Sequence, residues 1–300
     1  MANDRPPWRA VLALTAGTLL WGGSFIAMKI AMRGYAPLLV VFCRMALASL
    51  VFGLIWRRMG GFRAAKGDWP GILFMALCEP CLYFVFEAKA LTLTQVSQAA
   101  MVTAMLPLLT AVAATLFLKE KLEKKAGIGL LLAVGGVVLM SASGGATGDA
   151  PRPVLGNFLE FIAMCCAVGY IVTARRLAAR HRPLYLTAMQ AFTGMVFFAP
   201  VLLFTPFPEH IELGPTLAVV FLGLGVTFVA YGLYNYGVSL VPANKAAAFL
   251  NLIPVFACLL SYFMLDETLT PAQWAGGGLA LGGVALSTRS GRDNQSSRRE

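Results

Sequence analysis

Long apolar runs, each close to the length of a membrane-spanning helix, follow one another along almost the whole chain. In the run from Ala10 to Met28, the polar side chains are small hydroxyls. A helix needs about 20 mostly apolar residues to cross the hydrocarbon core of a bilayer. Lipid cannot hydrogen-bond to exposed backbone, so such runs cross it as helices. The sequence therefore predicts an all-α integral membrane protein.

Composition agrees with this prediction, because 58% of the residues are hydrophobic and 13% are charged, against about 25% charged in soluble domains. Apolar windows of helix length predict ten transmembrane helices. Their predicted ranges are 9–30, 36–56, 70–90, 95–118, 126–144, 154–174, 184–205, 215–236, 244–265 and 271–288. Residues 145–153 are predicted to form a periplasmic linker, and residues 289–300 a disordered cytoplasmic tail.

Basic residues carry the net charge of +10, and their positions predict the orientation in the membrane. They form four clusters, all between or after apolar runs: Arg57 to Lys66, Lys119 to Lys125, Arg175 to Arg182 and Arg289 to Arg299. If the N-terminus is cytoplasmic, all four clusters are cytoplasmic, as the positive-inside rule requires. Both termini are then cytoplasmic, and we expect an inner-membrane location. No basic stripe is interleaved with exposed aromatics, so we expect no nucleic-acid partner.

The chain also repeats itself at a constant offset of 147 residues. The offset aligns Pro107 with Pro254, Glu120 with Glu267, Lys29 with Arg176, Gly22 with Gly169, and Gly135-Gly136 with Gly282-Gly283. Residues 1–144 and 154–288 thus form two predicted five-helix units. Five is odd, so the second unit enters the membrane from the opposite side. Inverted repeats of this kind provide inward-open and outward-open states around a midplane site.

Two short motifs occur in the first predicted helix and at the end of the ninth. The first is Leu20-Trp21-Gly22-Gly23-Ser24-Phe25, and the second, Leu265-Asp266-Glu267-Thr268-Leu269-Thr270, starts at the last residue of the ninth helix. These motifs resemble the EamA-like family of ten-helix transporters in the drug/metabolite transporter superfamily. The resemblance implies a central cavity lined by both repeats and transport of amino acids or other small metabolites. It does not identify the substrate.

Glu79 is the first candidate for a substrate-binding or coupling residue. Ionisable groups within a membrane span cost about 2.5–3.5 kcal/mol on insertion scales, so each needs a reason. Glu79 lies near the middle of the third predicted helix, before Pro80, which removes a helical hydrogen bond. Its carboxylate could bind an ammonium group or a proton; the alternative is a structural hydrogen bond between helices. We predict helix breaks at Pro80, Pro107 and Pro254.

Other buried polar positions complete the candidate site. Tyr83 and Glu87 continue the face of Glu79. Arg44 is too deep in helix two to reach water, so we expect it to pair with backbone carbonyls or with a carboxylate, for which Glu79 and Glu160 are candidates, or to neutralise a substrate carboxylate. Glu160 itself is expected near the outer interface, either solvated there or lining the cavity. The remaining candidates lie on helices one, four, eight and nine: Trp21, Gln98, Tyr231, Asn235, Lys245 and Asn251.

The sequence favours a secondary transporter for a small metabolite, coupled to protons and acting as an exporter, over two alternatives. A flippase for lipid-linked or amphipathic substrates would share the fold. A membrane enzyme lacks support, because no HExxH, DDxxD or GxSxG pattern occurs. We expect neither a cofactor nor a metal. The expected partners are membrane lipid and a small solute, and the protein is expected to be a monomer or a homodimer.

Overall fold

The computed structural model describes residues 7–59, 67–118, 124–205, 208, 210–241 and 249–296. Nearly all of these residues are helical, and no strand occurs among them beyond one isolated bridge between Thr147 and Ala150. Within these described ranges, seven helices are long and apolar enough to cross a membrane, and two shorter apolar helices accompany them. The protein is therefore a helical, multi-pass membrane protein.

The first half of the chain contains helices α1 to α7. Their bounds are α1 Trp8–Ala31, α2 Pro37–Ile55, α3 Trp69–Ala76, α4 Tyr83–Leu91, α5 Val96–Thr103, α6 Leu106–Leu118 and α7 Lys124–Ala142. A π-helical segment, Leu77–Leu82, joins α3 to α4. One predicted helix is thus built from α3, this segment and α4, and another from α5 and α6.

The second half contains helices α8 to α14. Their bounds are α8 Pro153–Leu177, α9 Pro183–Phe198, α10 Val201–Phe204, α11 Leu213–Val220, α12 Tyr231–Leu240, α13 Leu252–Leu265 and α14 Pro271–Ser296. A second π-helical segment, Phe221–Ala230, joins α11 to α12. Helix α14 ends eight residues beyond the predicted end at 288. Residues 242–248, the start of the predicted ninth helix, lie outside the described residues.

Glycines bring α7 and α14 into close contact. A Cβ atom added at Gly276 would lie 2.6 Å from the carbonyl oxygen of Gly136. A Cβ atom added at Gly136 would collide with the carbonyl oxygen of Gly276. Gly283 approaches the backbone of Gly129 in the same way. Small residues allow helix backbones to approach in membranes. This glycine stripe therefore packs two helices of the same chain against each other.

Helix α1 packs against α11, α12 and α13 of the second half. Its residues Phe25, Ile26 and Met28 belong to a buried cluster that also contains Leu222 of the segment Phe221–Ala230 and Ala257 of α13. The two halves therefore share one apolar core, and α1 brings its face to the site described next.

Two charged residues bind backbone groups at the predicted outer end of the bundle, and one of them, Glu267, joins the two halves. Lys29 at the end of α1 donates to the carbonyl oxygens of Leu91 at 2.8 Å and Asp149 at 2.7 Å. Glu267, after α13, accepts hydrogen bonds from the backbone N–H groups of Val96 at 2.8 Å and Ser97 at 2.9 Å. Lys29 thus satisfies carbonyls after α4, and Glu267 caps the N-terminus of α5.

Candidate functional site

The helix is interrupted at Glu79, where the backbone is extended with φ −145° and ψ 118°, and the Glu79–Pro80 peptide bond is cis. Extended geometry is what a residue before proline prefers. Gln190 of α9 donates its Nε2 to the Glu79 carbonyl oxygen at 2.7 Å, so the interruption does not leave that carbonyl unpaired. A glycine at position 194 makes room for the Pro80 ring, since a Cβ there would lie 2.7 Å from its Cγ.

Tyr231 lies beside the carboxylate of Glu79, and two further aromatic rings lead away from Tyr231. The Tyr231 hydroxyl lies 3.5 Å from Glu79 Oε1, at the outer limit of a hydrogen bond. The Trp21 ring centroid lies 5.2 Å from that of Tyr231 and 5.0 Å from that of Tyr234. All four side chains are half-buried. We call Trp21, Glu79, Tyr231 and Tyr234 the aromatic–carboxylate group.

Arg44 lies in α2 and is 7% exposed. Its Nε donates to Thr227 Oγ1 at 3.0 Å, and its Cζ lies 4.4 Å from the centroid of the Phe84 ring. That distance is within the range of a cation–π contact. The carboxylate that acts most strongly on Arg44 is Glu87, with Glu79 acting more weakly. None of the ion pairs between described residues joins Arg44 to Glu79 or to Glu160.

Tyr83 and Glu87 lie one turn apart in α4. The Tyr83 hydroxyl donates to Glu87 Oε1 at 2.7 Å, and Glu87 is 6% exposed. Tyr83 and Glu87 thus lie on one helix face, as predicted, and are joined there by a direct hydrogen bond. Together with Arg44 they form a second polar group beside the first.

Glu160 of α8 departs most from the sequence analysis. The expectation of solvation at the outer interface is wrong, because Glu160 is 0% exposed. Neither carboxylate oxygen has a hydrogen-bond partner among the residues that the structure describes. Sequence reasoning misjudged its depth because Glu160 is near the start of its helix, whereas burial follows from packing against α4. The sequence did offer a signal of this burial, because Glu160 shares its helix face with the small or apolar residues Gly156, Ala163 and Met164.

Gln98 belongs to a different polar network. Its Oε1 accepts from Asn157 Nδ2 at 2.9 Å, and the same Nδ2 donates to Ser141 Oγ at 2.8 Å. Thr94 Oγ1 donates to Asn157 Oδ1 at 2.8 Å. Every member is buried, so this network ties α5, α7 and α8 together and does not face the aromatic–carboxylate group.

The other predicted residues divide as follows. Asn251 immediately precedes α13, and Pro254 is buried in its first turn. Pro107 lies in the first turn of α6, directly after the interruption at 104–105. Asn235 lies in α12, but its side chain is outside what is described, and so is the whole of Lys245. The structure thus brings together Trp21, Glu79 and Tyr231, with Tyr234, Gln190 and Thr227 as partners that sequence reasoning missed.

Sequence comparison finds relatives along nearly the full length. An uncharacterized transporter of Archaeoglobus fulgidus is 28% identical over 284 residues, which cover 93% of this chain and 98% of the relative. The uncharacterized transporter YetK of Bacillus subtilis is 27% identical and covers 92% of this chain and 85% of its own. A probable terminal-alkyne amino-acid exporter of Streptantibioticus cattleyicolor is 24% identical and covers 94% of each chain.

A solved crystal structure has the same fold. It matches with a TM-score of 0.63 and 23% sequence identity, covering 95% of this chain and 98% of the other.

Apolar helices that enclose ionisable groups, together with these relatives, define the protein as a multi-pass membrane transporter and not an enzyme. The sequence model of the EamA-like transporter family matches residues 8–142 and 154–289. The chain therefore belongs to the EamA-like transporter family, within the drug/metabolite transporter superfamily.

Proposed function

We propose that this transporter moves a small amino-bearing metabolite, an amino acid or an amine, across the inner membrane. The aromatic–carboxylate group carries the proposal. Tyr231 lies beside the half-buried carboxylate of Glu79, and the ring of Trp21 packs on Tyr231 and Tyr234. Aromatic faces and a carboxylate both attract a cation, and rings around a cationic site are the common solution for ammonium ligands.

The charge of Glu79 supports the same assignment. None of the ion pairs between described residues includes Glu79. A carboxylate within a membrane protein is expected to face a cavity or pair with a cation. An ammonium group of the substrate supplies that cation. For an amino acid, Arg44 is the nearby group of opposite charge that attracts the carboxylate end.

The transport cycle that we propose is alternating access between two inverted five-helix units. The two segments that match the family model support a division of the chain at the linker. Both termini then lie in the cytoplasm. We further propose proton-coupled export, in which protons enter as the metabolite leaves. The name of the Streptantibioticus relative, a probable amino-acid exporter, supports this direction.

Transport in proteoliposomes tests the proposal. The purified protein is reconstituted and offered radiolabelled amino acids, polyamines and quaternary amines, with and without a proton gradient. We expect uptake of at least one ammonium compound and no uptake of its uncharged analogue. Loss of a partly desolvated charge pair costs about 2–5 kcal/mol, so Glu79→Gln should weaken apparent affinity by roughly 30-fold or more.

The matched control is Glu212→Gln. Glu212 is exposed just before α11 and makes no side-chain cap, so the same neutralisation there should leave transport unchanged. If folded Glu79→Gln transports the ammonium compound with wild-type affinity and pH dependence, Glu79 is not the binding carboxylate.

A further inference from the structure

Glu160 is a buried carboxyl group that the substrate site does not use. It is 0% exposed, and both of its oxygens are without a hydrogen-bond partner among the described residues. Buried polar groups in proteins are almost always hydrogen-bonded, so each exception requires an explanation. A charged, unpaired carboxylate is the most costly kind of exception.

The surroundings of Glu160 are apolar. Ala163 and Met164, one turn further along α8, belong to a buried cluster with Met101 and Met140. The polar side chain one turn earlier, Asn157, uses its amide for Gln98, Ser141 and Thr94. The polar network therefore ends one turn before Glu160 and provides it with no donor.

Titratable groups on the elements packed against α8 are few. Helices α3, α5 and α6 carry none; the segment Leu77–Leu82 carries Cys78, Glu79 and Cys81; and α4 carries Tyr83, Glu87 and Lys89. Of these, Glu87 and Tyr83 interact electrostatically with Glu160. Lys89 is exposed.

The basic residues on α7 and α8 are too distant to neutralise Glu160. Lys125 lies 16 residues before Ser141 in α7, roughly 24 Å away at 1.5 Å per residue. Arg175 lies 15 residues after Glu160 on α8 itself, a similar distance along the axis. Neither α7 nor α8 therefore supplies a cation close enough to balance a charge on Glu160.

Glu87 differs from Glu160 in having stabilising partners. Its Oε1 accepts the Tyr83 hydroxyl at 2.7 Å, and the charge of Arg44 acts on it. Neither oxygen of Glu160 has a hydrogen-bond partner among the described residues. Two neighbouring carboxyl groups that share a dry site do not both ionise, and the proton goes to the one with fewer stabilising partners. The negative charge therefore belongs to Glu87 and the proton to Glu160.

We propose that Glu160 is the proton-carrying residue of this transporter, a site on the α4–α8 interface distinct from the aromatic–carboxylate group. Glu160 takes a proton from water on one side of the membrane when the α4–α8 interface opens, and releases it to water on the other side. No bond other than the O–H bond forms or breaks. The inference rests on the proposed function in one respect, since coupling requires that the protein transports an ammonium compound.

Glu160 is linked to the substrate site through Glu87, because Glu87 and Glu79 lie in the same membrane span. Glu79, Tyr83 and Glu87 follow one another through the segment Leu77–Leu82 and α4, and Glu87 is the charge that acts on both Glu79 and Glu160. A cation bound at Glu79 stabilises the negative charge on Glu87 and on Glu160, and so favours release of the proton. Substrate and proton therefore compete, as exchange of the two across the membrane requires.

Infrared spectroscopy tests the protonation without any transport assay. We expect the wild-type protein at neutral pH to show the carbonyl stretch of a protonated carboxylic acid, Glu160→Gln to lose that band, and the exposed control Glu212→Gln to keep it. Persistence of the full band in Glu160→Gln would overturn the proposal. The infrared measurement does not depend on transport, so the protonation of Glu160 and the proposed transport of an ammonium compound can be refuted separately.

Proteoliposomes then test coupling. Glu160→Gln should still exchange labelled for unlabelled ammonium substrate across the membrane, because exchange needs no net proton movement. It should lose accumulation driven by a pH gradient, and Glu160→Asp should restore part of it. Undiminished accumulation in Glu160→Gln, or wild-type accumulation that follows a sodium gradient instead, would refute proton carriage by Glu160. If folded Glu160→Gln loses exchange as well as accumulation, Glu160 binds substrate. That result would also refute proton carriage by Glu160.

Discussion

Neutralising Glu267 should weaken the contact that joins α13 to α5. Glu267 accepts three hydrogen bonds from the start of α5: two from the backbone N–H groups of Val96 and Ser97, and one from the Ser97 hydroxyl at 2.9 Å. The first N–H groups of a helix have no partner within it. Glu267, 170 residues away in sequence, supplies the acceptors and an anion at the positive end of the helix dipole.

The magnitude follows from what glutamine can replace. In Glu267→Gln one amide oxygen still accepts a hydrogen bond, while the amide NH₂ faces donors that now lack an acceptor. Hydrogen bonds to charged groups contribute about 1.5–3 kcal/mol each, and the charge–dipole interaction adds about 0.3–1 kcal/mol. Because Glu267 is half-buried, the lower part of the combined range applies. We expect a loss of roughly 2–3 kcal/mol in the free energy of unfolding.

Thermal unfolding in detergent measures the loss. For domains of 150–250 residues, 1 kcal/mol lowers Tm by about 2–4 °C, so the expected decrease is roughly 4–12 °C. A local measurement accompanies it, since Cys258 of α13 lies with its Sγ 3.7 Å from the Ser97 carbonyl oxygen. Alkylation of Cys258, followed by mass spectrometry, should be faster in Glu267→Gln than in the wild type.

Asp266→Asn is the matched control. Asp266 is the exposed neighbour of Glu267, and its backbone has φ 54°, which asparagine tolerates. The control should melt like the wild type. A Tm for Glu267→Gln equal to that of Asp266→Asn, with no change in Cys258 alkylation, would refute the assignment of Glu267 as the cap of α5.

Three further substitutions test packing, the buried network and a loop ion pair. Gly136→Leu should abolish folding of the α7–α14 pair, because its Cβ would collide with the α14 backbone, whereas Gly135→Leu should be tolerated since nothing lies within 4 Å. Asn157→Leu should lower the free energy of unfolding by about 2–4 kcal/mol, because it leaves buried partners unsatisfied. Asp68→Asn should destabilise the protein at neutral pH but not in acid, because a hydrogen bond from His181 at 2.9 Å holds the pKa of Asp68 below its usual range.

Each of these predictions has a direct measurement. Size-exclusion profiles in detergent separate the two glycine variants, and equal profiles would contradict the close contact. Thermal unfolding measures the asparagine variant, and a wild-type Tm would contradict its structural role. For Asp68 the lowered pKa means that the carboxylate stabilises the folded state above about pH 4 and that this contribution is lost as the pH falls through the folded-state pKa. A wild-type–variant difference in Tm that does not shrink below about pH 4 would contradict the assignment.

For most of the polar residues inside the bundle, the sequence predicted burial but not which residues would lie together. Trp21, Glu79 and Tyr231 were predicted as site residues from charge, aromaticity and depth, and the structure places them together. Gln98 was predicted on the same grounds, yet it joins Asn157 in a buried network elsewhere. Depth within a span is a local property, whereas the direction in which a side chain points depends on how its helix is rotated against its neighbours.

The apolar runs determined by themselves that the chain crosses a membrane as helices, because the free energy of inserting a span depends on its own length and composition. Basic clusters and the repeat likewise follow from sequence alone and predict orientation and inverted units. Tertiary structure decided which polar groups meet. Glu160 has no hydrogen-bond partner in the part of the chain that the structure describes, and Glu267 caps a helix of the other half. Both outcomes depend on contacts between helices distant in sequence, which close packing sets and local patterns do not encode.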